Sequence, residues 1–302
     1  VNEHRPYLAM LGMATIASLV LWRLATLAAR RSGAPVAATF AVVVTLVTCG
    51  LGGATFARNR TWHDDYTLWR DAVEKAPNNA RAWLNAGHAA MDRGLDDEAR
   101  RLLLRAHELS PCYAYVQMNL SALAGRSGAV DESLRWADEA VRCNPRLALT
   151  HLYRAAALER AGRFDEALAE HVQTTALDPN NANGWMAQGR LLERRETWAQ
   201  AAAAYDRAFA ADPTREDAAM LGGLVHHYRL ADPTGAAERY RATLRVLPTH
   251  YGAHYQLAVA LFASGDVAEA ERAWQAFVPL AEAIGDRASI DGAPEALRLS
   301  RR

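Results

Sequence analysis

Histidines, cysteines and paired carboxylates are the side chains that could do chemistry in this chain of 302 residues. His63-Asp64-Asp65 sets an imidazole beside two carboxylates, which could hold a metal ion or move a proton. The same acids suit a helix start, where carboxylates complement the dipole, and that is their expected role. His226-His227 are adjacent, and adjacent helical residues point to different faces. They are not expected to share a metal: one packs and the other faces a groove. Cys112 and Cys143 could pair in an oxidising compartment, but two unpaired thiols are the expected state. Cys49 lies in an apolar run and reads as a small packing residue. No Gly-rich phosphate loop, nucleophile elbow, HExxH or CxxC occurs. The sequence nominates no catalytic residue, no metal ligand and no cofactor.

Bulk composition narrows the partners. Basic and acidic residues number 34 each, so no nucleic-acid partner is expected. Three cysteines are too few to staple a small fold. Lys75 is the single lysine and alanine is abundant, which reads as a GC-rich bacterial genome.

Charge is divided unevenly along the chain. Residues 1–57 contain one acid, Glu3, and four arginines, Arg5, Arg23, Arg30 and Arg31. Residues 32–57 carry no charge at all. A bilayer core needs about 20 apolar helical residues, so this run is long enough to span. Pro6 to Ala29 is a second such run, and Arg23, close to its end, can snorkel to the interface. A short basic turn, AARRSGA, joins the two. The reading is a transmembrane hairpin in residues 1–57, with antiparallel helices at about 7–29 and 34–57.

Beyond it the chain repeats. Pro77, Pro111, Pro145, Pro179 and Pro213 are each 34 residues apart, and Pro248 follows after 35. In the first full unit Trp83, Gly87, Gly94, Ala99, Leu103, Ala106 and Pro111 take the positions of the tetratricopeptide repeat (TPR), which the sequence resembles. Trp185, Gly189, Ala201, Tyr205, Ala208 and Pro213 do so in the fourth. Small residues let two helices of a hairpin approach, a large one fills the gap between hairpins, and proline ends the second helix. One hairpin cannot bury its own apolar face, so the hairpins must stack. The expected fold is all-α: the membrane hairpin, then a right-handed TPR solenoid of six full repeats. These are expected at about 80–113, 114–147, 148–181, 182–215, 216–250 and 251–282.

Residues 58–79 read as a junction with a capping helix over 61–77, started by a Thr61–Asp64 capping box. Pro279 is expected to interrupt the last helix, and 283–302 to form a C-terminal cap and tail. Asn2-Glu3-His4-Arg5-Pro6-Tyr7-Leu8 and the segment RNRTWHDDYTLWRDAVEKAPNNARAWLNAG resemble the transmembrane and tetratricopeptide-containing O-mannosyltransferases. These are GT-C enzymes that use polyprenyl-phosphate sugars outside the cytoplasm. No position matches their catalytic loop, so the resemblance implies an acceptor-recruiting C-terminal portion whose catalytic part would precede Val1. It also implies a bacterial inner-membrane protein with its repeats on the extracytoplasmic, periplasmic side. The other reading is a membrane-anchored interaction module binding a polypeptide.

In TPR proteins the first helix of each hairpin lines a concave groove. Its inward positions here would be Asn85, Asn119, Tyr153, Ala187, Leu221 and Gln256. An asparagine amide matches the donor and acceptor of a peptide unit, so Asn85 and Asn119 resemble the asparagine ladder of O-GlcNAc transferase. Arg81, His88, Tyr115, Met118 and Arg190 are neighbouring groove positions. The expected ligand is an extended polypeptide held by Asn85 and Asn119, with Tyr115 and Met118 supplying apolar contact.

Overall fold

The computed structural model describes residues 5–292, with side chains described for 16–31, 33–56 and 62–292. Asn2, Glu3 and His4 of the junction resemblance, and the tail beyond Gly292, lie outside the described residues. All secondary structure among the described residues is helical. The chain divides into two compact units, 1–89 and 90–302.

In the first unit, α1 (Arg5–Ser32) and α2 (Val36–Thr61) form a hairpin about a tight turn in which Gly33 takes φ 71°. Buried Ala25 and Ala29, one turn apart on α1, allow the close approach of small-residue helix packing. Trp22 meets Phe40 edge-on at 5.1 Å. Ile16, Leu19, Leu24, Leu27, Leu46 and Leu51 face outward, as lipid-facing side chains would. Val36–Phe56, 21 residues of mean hydropathy 2.0, is long and apolar enough to cross a membrane.

The following helix, α3, covers Asp65–Lys75. It starts later than the Thr61 capping box implied, because α2 itself continues to Thr61 and Asp64 is the cap. The Asp64 carboxylate accepts from the Thr67 N–H at 3.0 Å, so this acid serves the helix start. Helix α4 (Ala80–Asp92) begins in this unit.

The second unit continues as α5 (Asp96–Leu109), α6 (Ala114–Arg126), α7 (Val130–Cys143), α8 (Ala148–Arg160), α9 (Phe164–Leu177) and α10 (Ala182–Arg194). Then come α11 (Trp198–Ala211), α12 (Glu216–Tyr228), α13 (Pro233–Val246), α14 (Tyr251–Ser264), α15 (Val267–Ile284) and α16 (Arg287–Asp291). From α6 onward each first helix packs on its own second helix, and each second helix on the next first helix. Glycine explains the tightness: a Cβ on Gly189 would come within 2.5 Å of the Tyr205 ring, and one on Gly223 within 2.6 Å of Tyr240. The two tyrosines are among the largest fully buried side chains, so glycine one helix away makes their room.

One position recurs as a device. Four residues into the repeat, Trp83, Trp185, His151 and His254 each direct a ring nitrogen to the carbonyl of the proline six residues earlier, at 2.8–2.9 Å. Gln117 donates to Pro111 in the same way. These bonds satisfy carbonyls beyond the ends of second helices, about 1 kcal/mol each. In the fifth repeat the position is Ala219, which cannot.

Two expectations are corrected. Cys112 and Cys143 are joined in a disulfide, Cα–Cα 5.2 Å, rather than remaining thiols. Cys112 lies in the turn after α5 and Cys143 ends α7, and parallel second helices of adjacent repeats bring those ends to one edge. Pro279 does not interrupt α15, which runs through it to Ile284. Phe277, Val278 and Ala281 are buried around it, and that packing carries the helix past the missing N–H.

Candidate functional site

In the second unit, α6 touches α8 across the hairpins, so the first helices share a face. Between α8, α10 and the start of α12 that face holds a cavity of about 550 Å³. Leu152, Ala156, Met186 and Ala187 give it an apolar floor, and Arg160, Arg190 and Arg215 stand around it.

Each cation is positioned differently. Arg160, at the end of α8, lays its guanidinium on Gly125 of α6, where a Cβ would be 3.1 Å from Cζ. Arg215, just before α12, donates to Asn183 Oδ1 at 2.6 Å and grips Asp217 through two bonds of 3.0 and 2.7 Å. That grip holds the Asp217 carboxyl below its usual range. Arg190 projects from the exposed side of α10. The one carboxylate lining the cavity, Glu159, pairs with buried His171 of α9 at 2.7 Å. That hydrogen bond, with the charges of His171, Arg190 and Arg160, keeps Glu159 below the usual carboxylate range. The result is an arginine-edged trough with an apolar floor, suited to carboxylates and peptide carbonyls.

The residues expected from sequence fall out unevenly. Arg81, half-buried Asn85 and exposed His88 stand on α4 in the first unit. Tyr115 is exposed on α6 and stacks edge-on with Tyr113 at 5.9 Å. Asn119 donates Nδ2 to the Tyr115 carbonyl of its own helix at 2.7 Å, so one of its two amide hydrogens is occupied. Met118 is corrected: at 2% exposure it packs inside the repeat and offers nothing to a ligand. Tyr153 is half-buried on α8. Gln256 accepts from Tyr228 at 2.7 Å, tying α14 to α12. Of the eleven groove positions named from sequence, Arg190 and Ala187 line the cavity.

Arg160, Arg215, Asn183 and the Glu159–His171 pair were missed. Glu159 and Arg160 come from the last turn of α8, Arg215 from the cap of α12 and His171 from a second helix, positions that a fixed inward register does not sample; Asn183 shares the register of Arg81 and Tyr115.

The histidine pair separates as expected. His226 meets Asp232 at 2.8 Å, while His227 stacks on Tyr228 at 4.4 Å. Burial lowers the His227 pKa, which favours the neutral ring.

Comparison with known proteins gives three kinds of likeness. The Tetratricopeptide repeat profile matches residues 67–114, 151–216 and 225–283, more than half of the chain. Protein O-mannosyl-transferase TMTC3 of Homo sapiens is 35% identical over 66 residues, 22% of this chain, and its Mus musculus counterpart is 33% identical over the same length. The match spans only 7% of each of those proteins. Among solved structures, Pseudomonas aeruginosa pilF superposes with a TM-score of 0.54 at 15% identity, over 66% of this chain and 92% of that one. Yeast Tom70 gives 0.53 at 20% identity, over 67% and 43%. Such identities speak to the fold alone.

Proposed function

Because the chain belongs to the tetratricopeptide-repeat family, we propose that it is a membrane-anchored interaction module whose first-helix face holds an extended segment of a partner polypeptide. The observation that carries this reading is the trough between α8, α10 and α12, where Arg160, Arg190 and Arg215 edge an apolar floor. An extended chain laid there would set backbone carbonyls and acidic side chains against guanidinium groups and its apolar side chains on Leu152 and Ala156. Toward the N-terminus of that face, Asn119 would take a peptide unit with the amide atoms its helix leaves unused, flanked by Tyr115 and Tyr153; on α4 of the first unit, taken by itself, Asn85 would take one beside Arg81 and His88. The bilayer is the second partner, with both α1 and α2 spanning it.

Peptides selected from a random library by the full chain in lipid nanodiscs test the groove. Arg190→Glu should weaken their binding about tenfold and Asn119→Ala several-fold, each hydrogen bond or ion pair contributing about 1 kcal/mol. Selected peptides that bind both variants as tightly as the parent chain would refute the groove reading.

A second reading has one observation in its favour, the 35% identity to human protein O-mannosyl-transferase TMTC3 over 66 residues. On it, the module recruits acceptor polypeptide for a GT-C-type transferase whose catalytic part precedes Val1. It stands on the extracytoplasmic side of a bacterial inner membrane. The Cys112–Cys143 disulfide supports that side, since such bonds persist in oxidising compartments. Fusing the chain to a catalytic GT-C domain should then raise mannosylation of groove-binding peptides over non-binding ones; no preference would remove this reading.

A further inference from the structure

A second cavity, of about 780 Å³, opens on the opposite side of the hairpins, between second helices α9 and α11 and over α10. Leu168, Val172 and Leu192 line it, Ala204 lies at its base, and Arg195 and Arg207 stand at its edge. Its volume falls in the range of pockets that take compact ligands. Val172 is 46% exposed there.

The chain itself shows what such a cleft takes. Helices α5 and α7 stand two repeats earlier in the same register, every residue 68 positions before its counterpart in α9 and α11. There the place of Ala204 is Trp136, and the place of Thr175 is His107. The Trp136 indole meets the His107 ring edge-on at 5.1 Å and donates to Glu132 at 3.2 Å. Arg100 closes over it by pairing with Glu132 at 2.5 Å. In the later pair Arg100 becomes Leu168 and Glu132 becomes Gln200, so the indole and its ionic cover are both gone. The third and fifth repeats fill the position with Glu170, bound to His151 and Arg154, and with Arg239, bound to Asp206. The fourth leaves it open. Charge changes as well: Glu139 of the earlier pair corresponds to Arg207, and Ser127 to Arg195. Arg195 has Asp165 at 3.6 Å, both side chains mostly in water, which leaves the edge basic.

We propose that the α9–α11 cleft is a docking site for a partner segment carrying an aromatic side chain next to acidic ones. The ring takes the place that Trp136 fills in the earlier repeats, and the flanking carboxylates pair with Arg207 and Arg195. The site is separate from the first-helix trough, so one module can hold two segments.

Fluorescein-labelled peptides Gly-Asp-Trp-Asp-Gly, Gly-Asp-Ala-Asp-Gly and Gly-Lys-Trp-Lys-Gly, read by anisotropy on the full chain in nanodiscs against empty nanodiscs, test it. The first should bind about tenfold more tightly than either control, a ring and an ion pair each contributing about 1 kcal/mol. Ala204→Trp, which copies the earlier pair, should abolish the preference for tryptophan over alanine. Arg207→Glu, at an exposed position that cannot unfold the repeat, should reverse the preference for aspartate over lysine. Arg190→Glu in the trough should change neither. Equal binding of the three peptides, or preferences that survive both cleft variants, would overturn the proposal. Loss on Arg190→Glu alone would assign the peptide to the trough and overturn it too.

Discussion

Glu196, like Ala231 in the next repeat, carries a backbone cost that the other equivalent turns avoid. The turn between first and second helices needs a left-handed residue, and Gly94, Gly128, Gly162 and Gly265 supply it with φ between 71° and 91°. In the fourth repeat the residue is Glu196 at φ 57°. A Cβ in that region costs about 1–2 kcal/mol, while glycine loosens the unfolded chain by about 0.4–1. Glu196→Gly should therefore stabilise the protein by about 0.5–1 kcal/mol in denaturant unfolding, and a destabilised variant would refute the strain argument. Glu159 sets a pH dependence with a definite sign. Its carboxyl is held below the ordinary 4.5, chiefly by the His171 hydrogen bond, so its contribution is present above that value. It is lost as pH falls through the lower folded value. Glu159→Gln should be less stable than the parent chain at pH 7, with the gap shrinking below about pH 4. A gap that persists at pH 3 would mean that the pairing does not stabilise the fold.

Between elements, the disulfide adds a covalent link between second helices that also meet through His107–Trp136 and Arg100–Glu132. Cys112 and Cys143 are 31 residues apart, and closing a loop of that length stabilises by about 3–4 kcal/mol in the chain-entropy account. The Cys112→Ser/Cys143→Ser variant should lose that much in denaturant unfolding, and reductant should bring the parent chain to the same midpoint. If reductant leaves the midpoint unchanged, the crosslink is absent from the folded protein. The proline-carbonyl bonds act at the same level and were hidden for a chemical reason. Trp, His and Gln share only an N–H at the right reach, so no single residue type marks the position in every repeat that makes the bond.

For the molecule as a whole, orientation is the open quantity that charge leaves balanced. Arg23, Arg30 and Arg31 flank the turn of the α1–α2 hairpin, while Arg5, Arg58 and Arg60 flank its other end, a tie under the positive-inside rule for the proposed spanning hairpin. On the proposed membrane-anchored reading, the disulfide favours an oxidising compartment for the repeats. An alkaline-phosphatase fusion after residue 302 should accordingly be active and a green-fluorescent one dark; fluorescence with an inactive phosphatase would put the repeats in the cytoplasm.

The repeat architecture was legible from sequence because it is a local, periodic property. Prolines 34 residues apart and small residues such as Gly189 opposite Tyr205 each state one helix end or one close approach. The apolar run at 36–56 is equally local. What sequence could not supply depends on which side chains from different repeats converge. Arg160, Arg190 and Arg215 meet only because α8, α10 and α12 stack, and Met118 turns inward because its neighbours fill the space around it. The cysteine pair needed the 5.2 Å between two helix ends that are 31 residues apart in the chain. The α9–α11 cleft is more remote still. It exists because Ala204 stands where Trp136 stood two repeats before, and a missing side chain becomes a cavity only when packed helices hold its walls apart.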